Sequence, residues 1–290
     1  MQTSRSLTVL TVLIALLAVV VTAVAGFSSG GPGPSTIATI HGTTAPIYGY
    51  GLYQKDSLLI GSGFRGNDAV MLFVATPLLL VSFYFHRRGS LKASILLLGA
   101  LATFLYAYWS LAFGAMYNAL FPLYILLFSL SFFAFVLAFT SLDIPALAGH
   151  VLPALPHRAL AAFLFVCAAV LFIVWFLMTL LPSILSGNPP QELAHYTTLI
   201  THALDLGIIM PALLLAGPLL LRRRAFGYAL GGLLFVMAWL LGLSISAGTL
   251  AQVLAGYPYT PGTMISFGIP FVVLALGGIW ANLTFFHHIR

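Results

Sequence analysis

The chain has 290 residues, of which 61% are hydrophobic and only 6% charged. Soluble domains carry about 25% charged residues, so water cannot be the main solvent of this fold. The net charge of +6 is no nucleic-acid footprint either, because the basic residues punctuate the ends of apolar runs instead of gathering on a polar surface.

Eight apolar segments follow one another, near residues 7–26, 69–86, 91–113, 119–140, 159–182, 198–221, 226–250 and 264–285. About 20 apolar residues cross a bilayer. The pattern therefore predicts an all-α polytopic transmembrane helix bundle of about eight spans. Residues 1–26, MQTSRSLTVLTVLIALLAVVVTAVAG, read as an N-terminal membrane anchor, since the apolar stretch exceeds the ~7–15 residues of a signal-peptide core. The short basic start and A-V-A ending also suit a signal peptide, whose cleavage would leave seven helices. Residues 27–68 read as an external Gly/Pro/Tyr-rich loop. It opens on FSSGGPGPS, a flexible-linker composition, and returns to the membrane surface on tyrosines, which favour the interface. The helix bundle proper is expected over 69–290.

Basic residues set the orientation. If Arg5 is cytoplasmic, eight crossings place Arg5, Arg87, Arg88, Lys92, Arg158, Arg222, Arg223, Arg224 and Arg290 on the cytoplasmic side, and only Lys55 and Arg65 opposite. Positive charge accumulates in cytoplasmic loops, which predicts a multi-pass protein of the cytoplasmic (plasma) membrane with both termini inside.

Two segments resemble each other. Asp68 precedes AVMLFVATPLLLVSFYFHRRGS and Asp205 precedes LGIIMPALLLAGPLLLRRRAFG. Each has an aspartate, then a proline (Pro77, Pro211), leucines and a basic inner end. Both helices run the same way, so a duplication would be a parallel repeat of helices two to four and six to eight. Prolines and basic inner ends are also ordinary features of membrane helices.

In HYTTLITHALDLGIIMP, His195, His202 and Asp205 fall within one side of a helix. At 1.5 Å rise per residue, Asp205 lies about 10 Å below the start of the span at Thr198. An ionisable residue there costs about 2.5–3.5 kcal/mol on insertion scales and faces the bundle interior or water. It either serves a solute, ion or proton, or is a neutralised packing group. The third helix offers a stripe, Thr103, Tyr106, Ser110, Gly114 and Tyr117, at helical spacing. The seventh adds Ser246, Thr249 and Gln252. The loop contributes Lys55, Asp56, Arg65 and Asp68; Asn67 or Asp68 suits an N-cap of the second helix, and Arg65 could reach Asp205 or Glu192. The expected ligand-binding set is Asp205, His202, Arg65, Tyr106, Ser110, Asp68 and Tyr117. The fifth helix, ALAAFLFVCAAVLFIVWFL, offers no polar face and is expected to meet lipid or another protein.

Several chemistries find no residues. Cys167 is the single cysteine, so there is no intrachain disulfide, CxxC pair or cysteine-rich metal site; it reads as a buried inert thiol. HExxH, CxxCH and a phosphate-binding GK[ST] loop do not occur. No spanning lysine could carry a retinal Schiff base, and His195 and His202 stand two turns apart, awkward for one metal. No cofactor can be named.

The strings KDS…RGND, FGAMYNALFPLY and YTTLITHALDLGIIMP…LLLRRR resemble a group of prokaryotic multipass integral membrane proteins of unknown activity. The resemblance covers most of the chain and implies a polytopic membrane protein only. The resulting expectation is an outward-facing polar pocket that binds a small solute or ion for transport or sensing. The alternatives are an intramembrane enzyme on a lipid-soluble substrate, with His202 as acid/base and Asp205 orienting it, and an assembly subunit with membrane-protein partners.

Overall fold

The structure, a computed structural model, describes residues 4–290. Among these, eight helices are long and apolar enough to cross a membrane: α1 Arg5–Phe27, α2 Leu58–Arg87, α3 Leu91–Gly114, α4 Phe121–Thr140, α5 His157–Ser186, α6 Ile200–Leu221, α7 Ala225–Leu254 and α8 Pro261–His287. The all-α bundle expected from the eight apolar runs is the observed architecture. Side-chain oxygens start several helices by accepting free backbone N–H groups: Ser4 from Leu7, Ser57 from Ile60, Ser90 from Ala93 and Thr260 from Thr263.

α3 and α7 are the most buried spans. α7 packs against α2, α3, α6 and α8, while α1 lies against α4 and α2. Such interfaces need small residues, because lipid offers no hydrophobic drive between helices. Gly99 of α3 sits on Val236, and Gly242 and Gly278 bring α7 and α8 together at Ala275 and Trp239.

The second helix corrects the sequence reading. It starts at Leu58 instead of near residue 69, with Ser57 as its cap instead of Asn67 or Asp68. The glycine-rich run that resembled a loop is a contact surface. A Cβ at Gly66 would meet the Ala247 carbonyl, and one at Gly63 would meet Gln252. Glycine here permits close approach of α2 and α7.

The preceding segment folds onto the bundle. Strands β1 (Ser35–Ala38) and β2 (Thr44–Ile47) pair antiparallel, Ser35 opposite Ile47 and Ala38 opposite Thr44. Tyr48, Tyr53 and Asp56 then turn inward and are buried.

Four spans contain a wide π-turn, and all four turns end two residues before a proline: Met71–Ala75 before Pro77, Phe172–Leu180 before Pro182, Asp205–Ile209 before Pro211 and Met264–Gly268 before Pro270. Proline lacks an N–H, and its ring collides with the carbonyl four residues back. Widening the preceding turn relieves both problems. Two hydroxyls use the extra width, Thr76 Oγ1 donating to the Met71 carbonyl at 2.7 Å and Thr179 Oγ1 to that of Val174 at 3.1 Å. Both segments of the suspected repeat carry a π-turn before their proline, but Asp68 lies three residues ahead of its turn while Asp205 is the first residue of its own.

Candidate functional site

A cavity of about 520 Å³ lies among α2, α3, α5, α6, α7 and α8. Its walls run from Leu234 and Met237 deep in α7 to Glu192, Tyr196, Tyr257 and Tyr259 in the connections at the end opposite the chain termini. Most of the lining is aliphatic or aromatic, with polar groups at a few points. Pockets of 300–1,000 Å³ with that make-up are typical of small-molecule sites.

Asp205 stands at the first position of the π-turn of α6 and is 3% exposed. Tyr106 Oη of α3 donates to its Oδ1 at 2.8 Å, and Trp175 Nε1 of α5 donates to its Oδ2 at 2.8 Å. Three helices thus converge on one carboxyl group, and α5 and α6 do so through widened turns, a helix irregularity frequent at functional sites. His202, one turn earlier on α6, is 7% exposed and packs against Trp175 with ring centroids 4.3 Å apart and the ring planes tilted by 47°. Neither His202 nitrogen has a partner.

Ser110 on α3 and Ser244 on α7 are likewise buried with unpartnered hydroxyls, and both line the cavity. Buried polar groups are normally hydrogen-bonded. Here an imidazole and two hydroxyls, on three helices that line one cavity, are buried without a hydrogen-bond partner.

The sequence-derived set divides. Asp205, His202, Tyr106 and Ser110 come together in the cavity wall, as do Gly114, Thr249 and Gln252. Arg65 does not reach Asp205 or Glu192. Its guanidinium donates to the carbonyls of Gly26 at 2.6 Å and Ser28 at 3.2 Å, and to Tyr48 Oη at 3.1 Å. A cation satisfies the last carbonyls of a helix and its dipole, so Arg65 closes the end of α1. Asp68 is buried away from the cavity and accepts from Tyr53 Oη at 2.7 Å. Tyr117 lies beyond the end of α3, 68% exposed, against Phe121. His195 precedes the helix that carries His202 and does not share its face; its Nε2 meets the Lys55 carbonyl at 3.1 Å. Ser246 bonds its own helix at Gly242, and Ser244 takes its place on the cavity side.

Two features escaped the sequence reading. Trp175 gives the apolar fifth helix a polar contact after all. Its signal was a donor-only indole in an otherwise aliphatic run, which needs an acceptor when buried. The second is a latch at the cavity mouth. Asp56 Oδ1 accepts from the Met116 N–H at 2.9 Å and from Tyr196 Oη at 2.8 Å, while the Ser57 N–H donates to Tyr196 Oη at 3.1 Å. Three connections are tied at one carboxyl. Burial pushes the Asp56 acid up to about 6, against the two donors, which pull it down. Burial likewise raises the Tyr196 phenol and lowers the His195 imidazole. At the same mouth, burial raises Tyr259 to about 12.

No family model, curated protein or solved structure matches the chain. Eight apolar spans decide its class. It is a multi-pass integral membrane protein.

Proposed function

We propose that the cavity binds a small solute for transport or sensing, entering from the outer face of a cytoplasmic membrane. The observation that carries this reading is His202: a buried imidazole with neither nitrogen partnered, on the wall of a cavity large enough for a small molecule. Leaving such groups unmade costs about 1–3 kcal/mol each, and a bound solute with its own donor and acceptor offsets that cost. Orientation rests on the basic residues, nine of eleven at the end that carries the termini. The cavity mouth lies at the other end. His202, Asp205, Tyr106, Ser110 and Ser244 are the proposed contacts, and Arg65, Asp68 and Tyr117 are left out.

Native mass spectrometry of the protein released from mild detergent tests the reading. The wild-type chain is expected to retain a small-molecule adduct that is lost in Ser244→Trp, which fills the cavity. Identical spectra for two folded proteins, both free of adduct or both carrying it, count against it.

A further inference from the structure

The charge of the cavity runs against that of the protein. The chain has eleven Lys and Arg and five Asp and Glu. Yet the cavity wall holds two of those acids, Asp205 and Glu192, and among the described residues none of the bases. Glu192 stands at the mouth and Asp205 at depth, an acidic path inward. The deep acid has two neutral donors, Tyr106 and Trp175, and no cationic side chain beside it in the wall. An ionised carboxylate at membrane depth calls for a counter-charge, and this site leaves room for one to be brought in.

The walls say what kind of cation fits. Trp175, Phe271, Phe267 and Tyr106 present rings in the interior, and Tyr257 and Tyr259 at the mouth. Aromatic faces attract ammonium groups within about 6 Å. A hard metal ion instead demands six or more oxygen ligands, which these hydrocarbon walls do not supply. The volume of about 520 Å³ also far exceeds a bare ion.

Resting on the reading of the cavity as a solute site, we infer that its ligand is a lipophilic organic cation, a substituted ammonium on an apolar body. The charge lies beside Asp205 and the aromatic rings, the apolar body lies along Leu213, Leu234 and Met237, and Glu192 draws the cation in.

The test compares benzyltrimethylammonium with neopentylbenzene, its uncharged carbon isostere, on the full chain in detergent. Titration calorimetry gives affinities, and the part of the tryptophan quenching that disappears in Trp175→Phe locates the probe. The cation is expected to bind at least tenfold tighter than the isostere. Asp205→Asn should weaken the cation at least tenfold and leave the isostere unchanged. Equal binding of the two probes, or indifference of the cation to Asp205→Asn, overturns the cationic ligand while the solute site stands. Binding of neither probe also overturns it, and the solute site falls with it only if the mass-spectrometric adduct is missing too. If Asp205→Asn fails to fold, Glu192→Gln at the mouth decides: two- to threefold weaker cation binding, diminishing with added salt, supports the inference, and no change overturns it.

Discussion

Trp175 and Asp205 meet at 2.8 Å, indole N–H to carboxylate, and each stands on a π-turn that ends two residues before a proline. A π-turn holds one residue more than an α-turn, and each residue turns a helix by about 100°. Pro182 and Pro211 are therefore expected to set where these side chains point. Pro211→Ala restores an N–H that can close a regular turn and swing Asp205 away. In the wild-type background Trp175→Phe should cost about 1.5–3 kcal/mol, the range for a hydrogen bond to a charged group. In the Pro211→Ala background it should cost almost nothing, the non-additivity expected of residues in one network. Unfolding of the four proteins in detergent measures the cycle; an unchanged cost of Trp175→Phe refutes the proline's role.

Substitutions at the carboxyl test the junction of the three helices. Asp205→Asn keeps partners, because the Tyr106 hydroxyl can accept from the new amide while the amide oxygen takes the Trp175 donor. Asp205→Leu orphans both donors and should destabilise the fold by about 1–3 kcal/mol for each. Thermal unfolding midpoints should rank wild type and Asn together, with Leu well below. A leucine variant as stable as wild type contradicts the three-helix junction.

Glycines in α2 provide a steric control. At Gly66 an added Cβ runs into the Ala247 carbonyl of α7, whereas at Gly149 it meets nothing within 4 Å. Gly66→Ala should lower stability by about 1–3 kcal/mol, as overpacking does, and Gly149→Ala should be nearly silent. Equal effects would place residues 58–68 outside the α2–α7 interface.

Asp56 gives a pH dependence. Its folded acid is raised to about 6 by burial, above the ordinary carboxylate value near 3.9. The folded state then binds more protons than the unfolded one between those values, so stability falls as pH rises from about 4 to 6 and is level above. The two units amount to roughly 3 kcal/mol. Asp56→Asn, which keeps the Oδ1 contacts, should flatten this slope and raise the unfolding midpoint at pH 7.5. A slope that survives the substitution assigns the effect to another group.

Much of the fold was legible because hydrocarbon solvent imposes a simple rule: every backbone group must be satisfied within a span, so apolar runs of the right length are helices. That Asp205 and His202 face the bundle interior followed from the cost of an ionisable residue in hydrocarbon, and the α3 stripe that brings Tyr106 and Ser110 to the same cavity followed from helical spacing. The start of α2 did not, because glycine reads as flexible in composition and as close-packed only when Ala247 is in view. Arg65 was misplaced for a similar reason, as its acceptors are backbone carbonyls at the end of α1 that carry no sequence signature. Trp175 was missed because one indole barely changes the hydropathy of α5.

The most direct test of the central claim is an experimental map of the detergent-purified wild-type protein at a resolution that shows side chains. Density is expected for a compact molecule inside the cavity, in contact with Asp205 and within about 3 Å of a His202 nitrogen, the range of a hydrogen bond. A collapsed cavity, or one filled by an acyl chain that touches neither Asp205 nor His202, would contradict it.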